Sequence, residues 1–273
     1  MIKDIVVHLT GSPEDTIRLK YAAGLAERLD AHLTGLQVNV LPGILSYTDV
    51  SGSVVLQELI ANANKQADEI GERLRQLLSE VGGGRSDLRR VDAFPEAVGS
   101  ALASEARLAD LFIGTRPYGD PVGSAHIEES VLFEAGRACI FLPPKIEQRP
   151  QLDRIVVGWK NTRESARAVA EAMPLLRMAS SVDVILVSGE GSIGISESTD
   201  IGTHLARHGV TADIRTVPGD PDTASALLRE AHASSAGLMV MGAYGHSRLR
   251  ETILGGATRD VLTEASIPVF MAH

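Results

Sequence analysis

The chain has 273 residues, of which 44% are hydrophobic and 22% are charged. This composition is typical of a soluble globular protein with a buried core, and the length allows one large domain or two smaller ones. The formal net charge of −9 and the pI near 5.4 argue against a surface that binds nucleic acid or an anionic membrane.

The first half opens with a strand-like run and an amphipathic helix. The apolar run IKDIVVHL, residues 2–9, leads through a polar turn into TIRLKYAAGLAERLDA, residues 16–31. This opening lacks the basic start, the long apolar stretch and the small-residue cleavage site of a signal peptide. No apolar run in the sequence approaches the roughly 20 residues that cross a bilayer. We therefore expect a cytoplasmic protein with no membrane partner.

A second strand, HLTGLQVNV at residues 32–40, is followed by an insertion. It comprises the loop LPGILSYTDVSG, residues 41–52, and a helix over residues 54–81 with apolar residues at three- to four-residue spacing. The loop contains Tyr47 and is either an ordinary surface loop or a segment that covers a pocket. The charged residues that we expect to be exposed on the helix are Lys65, Asp68, Glu69 and Glu72.

The rest of the first half continues the alternation of strands and helices. Residues 89–116 contain a strand, a proline loop, an Ala/Leu-rich helix and a buried strand, and residues 130–144 contain a last helix and strand. Cys139, the only cysteine, lies in this last apolar run. We expect it to be a buried, unreactive thiol, and a single cysteine cannot form an intrachain disulfide.

The second half repeats these elements in the same order. A strand, a turn and a helix occupy residues 152–181, a second strand residues 182–190, a strand–helix–strand unit residues 214–244, and a last helix and strand residues 257–273. Strands that are apolar throughout and alternate with helices predict parallel pairing with helices on both faces. The expected fold class is α/β, with two tandem, doubly wound, five-stranded parallel-sheet domains.

The boundary between the two copies is expected in the segment PPKIEQRPQ, residues 143–151. Prolines and charged residues replace the apolar pattern there. This places one domain at residues 1–146 and the other at residues 151–273.

The strongest chemical signal is the segment VMGAYGHSRLRETILGGATRDVL in the second half. Gly242 and Gly245 follow a predicted buried strand, at the edge where ligands bind in open α/β sheets. Gly255 and Gly256 directly precede the last helix, whose first turn offers unpaired N–H groups. Thr258 adds a hydroxyl at the same place. These residues predict a site for a phosphate chain, unless the first two glycines only permit a tight turn.

This segment resembles the universal stress protein family in its tandem, two-domain form. ATP-binding members share the pattern G-x-x-G, nine residues, then G-S or G-T. Gly242, Gly245 and Gly255 match it with the full spacing, and Gly256 stands where the hydroxyl residue is expected. The resemblance covers both halves and implies an adenine nucleotide alpha-hydrolase-like, Rossmann-like fold, with the halves related by a pseudo-twofold axis.

The resemblance also implies which residues contact ATP. Lys160 replaces the acidic residue that the family has after the first strand, and its side chain is able to bind a phosphate. Asn161 beside it is an alternative hydrogen-bond acceptor for the nucleotide. The apolar position that lines the base corresponds to Val187, and Gly219 matches the loop after the third strand. The predicted nucleotide-binding residues are Asn161, Val187, Met241, Gly242, Gly245, Gly255, Gly256 and Thr258.

The first half lacks most of this pattern. Gly114 is retained, but Pro117 replaces the second glycine and Thr10 replaces the acidic residue. We align Glu134 and Ala135 with the Gly–Gly pair, where a carboxylate at a helix N-terminus would repel a phosphate. A degenerate site is predicted in this half.

The resemblance implies a structural role for the first half. It would supply the partner that single-domain members obtain from a second chain, giving an intramolecular pseudo-dimer. The last strands of the halves would then pair, through Ile140–Leu142 and Val269–Met271. Whether two chains associate further into a homodimer stays open.

Two histidine-containing features have simpler explanations. His204 and His208 lie four residues apart on one helical face, a spacing able to hold a metal, but no third ligand is identifiable. We therefore predict no metal site there. His246 and Arg248 in the glycine loop are either ligand contacts or solvated loop residues.

No catalytic motif accompanies the glycine loop. The sequence lacks G-x-x-x-x-G-K-[ST] and G-x-S-x-G, and no pair of carboxylates has a spacing that defines an acid/base couple. We expect a non-enzymatic universal stress protein whose second domain binds ATP, with Mg²⁺ accompanying it, as a sensor or switch. Any ATP hydrolysis is expected to be weak and incidental. The alternatives are a nucleotide-free scaffold and a binder of another phosphorylated or lipidic ligand.

Overall fold

The protein was analysed as a computed structural model. It describes residues 1–43, 50–117, 125–144, 146, 149–188, 195–244 and 256–273. The elements of the first half are β1 (Asp4–Leu9), α1 (Asp15–Leu29), β2 (His32–Val40), α2 (Val50–Val81), β3 (Ser86–Ala93), a 3₁₀ turn (Pro95–Ala97), α3 (Val98–Ala106), β4 (Leu111–Thr115), α4 (Ala125–Glu134) and β5 (Ala138–Leu142). The elements of the second half are β6 (Arg154–Trp159), α5 (Arg163–Leu176), β7 (Ser181–Ser188), α6 (Ile195–Arg207), β8 (Ala212–Pro218), α7 (Thr223–Ala233), β9 (Leu238–Gly242), α8 (Ala257–Glu264) and β10 (Val269–Ala272).

The strands form a single ten-stranded sheet in the order β3-β2-β1-β4-β5-β10-β9-β6-β7-β8. Pairing is parallel within each half and antiparallel where β5 meets β10. At that junction Phe270 lies opposite Ile140, and Met271 lies opposite Cys139. The predicted α/β class and the predicted pairing of the two last strands are confirmed. Because the junction is antiparallel, the carboxyl ends of the strands lie at opposite edges of the sheet in the two halves.

Helices cover both faces of the sheet. One hydrophobic cluster joins the sheet to α1, α2, α5 and α6, and the other joins it to α3, α4, α7 and α8. Successive strand residues point to opposite faces, so that Ile5 and Val7 belong to the first cluster and Val6 to the second. Cys139 is fully buried in the second cluster, as predicted.

The long helix α2 is amphipathic, as its sequence predicts. Its apolar side packs on the sheet through Ala67, Leu74 and Leu78. The four charged residues expected to be exposed are exposed: Lys65, Asp68, Glu69 and Glu72. Within the part of the chain that the structure describes, no helix has the length and apolar character needed to cross a membrane. The loop residue Tyr47 lies outside the described residues.

The end of α4 corrects one alignment made from the sequence. Glu134 is the last residue of α4, and Ala135 follows it, so neither residue opens a helix. Gly136 has a φ of +66°, the left-handed conformation that glycine commonly supplies just beyond a helix end. The N-terminus of α4 is at Ala125, and the expected carboxylate at a helix N-terminus is therefore wrong.

Candidate functional site

The candidate site lies at the switch point of the second half. Strands β6 and β9 are neighbours, although the chain leaves β6 in the other direction, towards β7 and β8. A crevice forms at the carboxyl ends of such strands, and ligands of open α/β sheets bind there. Residues 160–162 follow β6, and Ala243 and Tyr244 follow β9. The loop residues Gly245, His246, Arg248 and Gly255 lie outside the described residues.

Gly242 allows helix α5 to approach β9 closely. A Cβ atom on this glycine would lie 2.5 Å from the backbone nitrogen of Ser165 and 2.6 Å from the carbonyl carbon of Glu164. No side chain fits in this space. The first turn of α5 is also capped, because the Thr162 hydroxyl accepts a hydrogen bond from the Ser165 N–H at 3.3 Å. The N-terminus of α5 is therefore held against the end of β9.

Helix α8 begins beside the same segment. Its N-cap residue, Gly256, has an extended backbone and supplies no side-chain cap. The Thr258 side chain is 4% exposed, and its Oγ1 accepts a hydrogen bond from the Tyr244 N–H at 3.0 Å. The hydroxyl thus ties the first turn of α8 to the end of β9. The first-turn N–H groups of α8 have no acceptor within the helix.

The other predicted contacts are spread over the same edge of the sheet. Lys160 and Asn161 are exposed. Val187 is half-buried near the end of β7, and its Cγ1 lies 3.0 Å from the position of a Cβ atom on Gly219. Met241 is buried in the core beneath the site, so its side chain serves packing. The structure thus groups Gly242 and Thr258 closely around the end of β9, with Val187 farther along the edge.

Two further polar groups lie near the site. The indole Nε1 of Trp159, the last residue of β6, is buried and has no hydrogen-bond partner among the described residues. Glu164 is buried on the first turn of α5. The sequence gives little indication of Glu164, because the family pattern places the acidic residue at position 160. This carboxylate comes four residues later.

The environment of Glu164 stabilises its ionised form. Burial raises the pKa of the carboxyl, but hydrogen bonds from its own backbone N–H, from Arg163 and from Thr162 lower it. The positive charge of Arg163 acts in the same direction, and the net result is a pKa below the ordinary value. The distance between the Arg163 guanidinium and the carboxylate is 3.0 Å.

In the first half, protein groups occupy the corresponding loop after β1. The Asp15 carboxylate accepts the N–H groups of Thr10 and Gly11 at 3.1 and 2.6 Å. Arg18 donates to the carbonyl of His8 and forms a 3.1 Å ion pair with Asp15. Both charged side chains are almost completely buried. This network satisfies the backbone N–H groups of the loop after β1 within the protein.

A cavity of about 630 Å³ lies elsewhere, between α1, the end of α2 and the linker. Small and apolar residues line it together with Lys20, Glu27, Glu80, Arg85 and Arg149. Four strands separate β2, at its floor, from β9. It is therefore distinct from the crevice at the glycine loop.

His204 on α6 and His208, just beyond the end of that helix, lie close together. The rings of His204 and His208 are 4.7 Å apart, and Arg177 donates to the carbonyl oxygen of His208 at 2.8 Å. Over the described ranges, no group of three or more His, Cys, Asp or Glu side chains is placed to hold a metal ion.

A comparison with protein families finds a match in the second half. Residues 151–273 match the family described as Universal stress protein family. A comparison with curated protein sequences finds no significant match.

Solved structures with the same fold match the whole chain or half of it. A universal stress protein from Archaeoglobus fulgidus has a TM-score of 0.74 at 17% identity, with 98% of this chain and 95% of that chain covered. A putative universal stress protein from Pseudomonas aeruginosa has a TM-score of 0.61 at 17% identity, with 99% and 93% covered. A universal stress protein in complex with cAMP matches 44% of this chain and 97% of its own, at 22% identity and a TM-score of 0.38. The first two matches show that the fold of the full chain is shared.

Proposed function

We propose that residues 151–273, which match the universal stress protein family model, bind ATP at the ends of β6 and β9 and act as a nucleotide sensor or switch. One observation carries the proposal. Two helix N-termini flank residues 242–244: α5 packs against Gly242, and Thr258 in the first turn of α8 binds Tyr244. Helix N-termini carry partial positive charge and free N–H groups, which favour a phosphate chain.

The surrounding residues fit the remaining parts of the nucleotide. Lys160 is exposed beside the crevice and supplies a cation for the phosphates. Asn161 offers both a donor and an acceptor, and Val187 offers an apolar surface for the base. No described residue accepts a hydrogen bond from the buried Trp159 Nε1–H, and a bound ligand would supply an acceptor. We propose that Mg²⁺ enters with ATP, bound by phosphate oxygens and water.

Binding without efficient catalysis is the activity that this arrangement supports. Backbone N–H groups and a lysine hold charge but do not activate water, and binding alone does not lower a reaction barrier. The nearest buried carboxylate, Glu164, has a lowered pKa, which makes it a weak general base at neutral pH. Any hydrolysis would therefore be slow and incidental to the sensing role.

The proposal is tested by titrating the protein with ATP, ADP, AMP and adenosine. Calorimetry gives affinity and stoichiometry, and the fluorescence of Trp159, the only tryptophan, reports on the site. We expect one site per chain, with affinity falling as phosphates are removed. Lys160→Ala should weaken ATP more than adenosine, whereas Lys20→Ala, an exposed lysine of the first half, should change neither. No binding at millimolar nucleotide would overturn the proposal.

A nucleotide-free scaffold is the second candidate. It is favoured by Thr258, whose oxygen already accepts the Tyr244 N–H, and by Gly256, which lacks the hydroxyl of ATP-binding relatives. This function predicts that Gly245→Val leaves activity in cells unchanged. Native mass spectrometry of the purified protein distinguishes it from a third candidate, a carrier of another phosphorylated or lipidic ligand, because such a carrier would retain its ligand.

A further inference from the structure

Tyr244 connects the glycine loop to the first half of the chain. Its hydroxyl donates a 2.7 Å hydrogen bond to Oε1 of Glu129 on α4. Its ring packs on Phe133, one helical turn farther along α4, with ring centroids 4.9 Å apart. Tyr244 is 6% exposed and Glu129 is half-buried, so the hydrogen bond is partly shielded from water.

Helix α4 also contacts Ala243, the residue before Tyr244, indirectly through His273. The Phe133 ring meets the His273 ring edge-on at 4.7 Å. His273 Nδ1 in turn lies 3.0 Å from the carbonyl oxygen of Ala243. Two adjacent residues after β9 are thus held by one helix of the first half.

The backbone of Tyr244 needs such support. Its φ is +53°, a left-handed conformation that costs a residue with a side chain roughly 1–2 kcal/mol. In this conformation its N–H points to the Thr258 hydroxyl on the first turn of α8. The first half of the chain thus holds the Tyr244 side chain through Glu129 and Phe133. The backbone of Tyr244 makes the contact with Thr258 in the second half.

We infer that Glu129 and Phe133 are positioning residues for the nucleotide site, acting through Tyr244 on the first turn of α8. The inference rests on the proposed function, since it concerns the same site. It gives the first half a role beyond completing the sheet: α4 sets the geometry of an anion site that the first half itself lacks. Coupling between two sites is reciprocal, so nucleotide binding also stabilises the contact of Tyr244 with α4.

The opposite contact between the halves provides a matched control. Arg116 stands two residues after Gly114, as Tyr244 stands two residues after Gly242. Its guanidinium donates to the carbonyl oxygen of Ala265 at 3.0 Å, just beyond the C-terminal end of α8. It therefore joins the two halves at the end of α8 opposite to Thr258.

The test measures ATP affinity by calorimetry and hydrogen exchange of residues 125–134 with and without ATP. Tyr244→Phe and Glu129→Leu should each weaken ATP binding by roughly fivefold or more, the range of typical coupling between sites. Glu129→Gln should retain most of the wild-type ATP affinity, because the amide oxygen of glutamine also accepts a hydrogen bond from the tyrosine hydroxyl. Arg116→Met should lower the melting temperature and leave affinity unchanged.

Hydrogen exchange separates positioning from simple loss of stability. In the wild-type protein ATP should slow exchange in α4, and in Tyr244→Phe it should not. Wild-type affinity in both Tyr244→Phe and Glu129→Leu would overturn the inference. If the wild-type protein binds no nucleotide, the proposed function fails. The inference is then tested in the ligand-free protein by the hydrogen-exchange rate of the Tyr244 amide. Faster exchange of that amide in Glu129→Leu supports positioning, and unchanged exchange overturns it.

Discussion

Gly242 and Ser165 are packed so closely that a Cβ atom on the glycine would lie 2.5 Å from the serine backbone nitrogen. The sequence pattern assigns Gly242 to a phosphate-binding loop, but the contact shows a packing role in addition. The glycine allows the N-terminus of α5 to reach the end of β9, where it becomes part of the site. Packing and the proposed ligand binding thus both depend on the absence of a side chain at position 242.

Gly242→Ala is therefore expected to damage both stability and binding. The added methyl group meets backbone atoms rather than a flexible side chain, and such overpacking costs about 1–3 kcal/mol. Denaturant unfolding measures this loss, and calorimetry should show weakened ATP binding because α5 is displaced. Gly43→Ala is the control, since no atom of the described residues lies within 4 Å of a Cβ atom there. Unchanged stability in Gly242→Ala would contradict the close packing.

The sequence was sufficient to predict the fold and the junction between the halves. Apolar strands alternating with helices indicate parallel sheets, and the repeated order indicates two copies. The resemblance implies pairing of Ile140–Leu142 with Val269–Met271, and the structure pairs the same two strands with Cys139–Phe141 opposite Val269–Met271, one residue earlier in β5. These features depend on long, redundant patterns, which single substitutions do not obscure.

Features that depend on a single residue were harder to predict. Glu134 was aligned with a helix start, although the next residues show a helix end, where Gly136 takes a positive φ. The contact of Tyr244 with Glu129 spans 115 residues and has no local signal. The position of Glu164 was also missed, because its burial results from the approach of α5 to Gly242. Such contacts are set by tertiary packing.

Gly256→Ser is expected to tighten nucleotide binding. The backbone of Gly256 is extended, with a φ of −173°, which any residue adopts, and its position is the uncapped N-cap of α8. A serine hydroxyl there would cap the helix, a gain of a few tenths of a kcal/mol over glycine, and would add a donor for a phosphate. Melting temperature and ATP affinity should both rise. Gly256→Ala adds a side chain without a hydroxyl, and an equal gain in that variant would contradict the explanation.

Glu164 should make the stability of the protein depend on pH in the acid range. Its folded-state pKa is lower than the ordinary value of 4.5. The ionised carboxylate therefore contributes stability that is fully present above the unfolded pKa and is lost as the pH falls through the folded pKa. Wild-type protein should be more stable than Glu164→Gln at pH 7, and the difference should shrink below about pH 4.5. A difference that is constant with pH, measured by denaturant unfolding, would argue against this role of the charge.

The buried ion pair of Asp15 and Arg18 should keep the first half free of nucleotide. Asp15→Ala removes the partner of a buried guanidinium and the acceptor of two backbone N–H groups, so we expect a loss of about 3–5 kcal/mol. The double variant Asp15→Ala/Arg18→Met should recover part of it, because the uncompensated charge is gone. Denaturant unfolding measures both. Calorimetry should give one ATP per chain in the wild-type protein, and two would show that the network leaves room for a ligand.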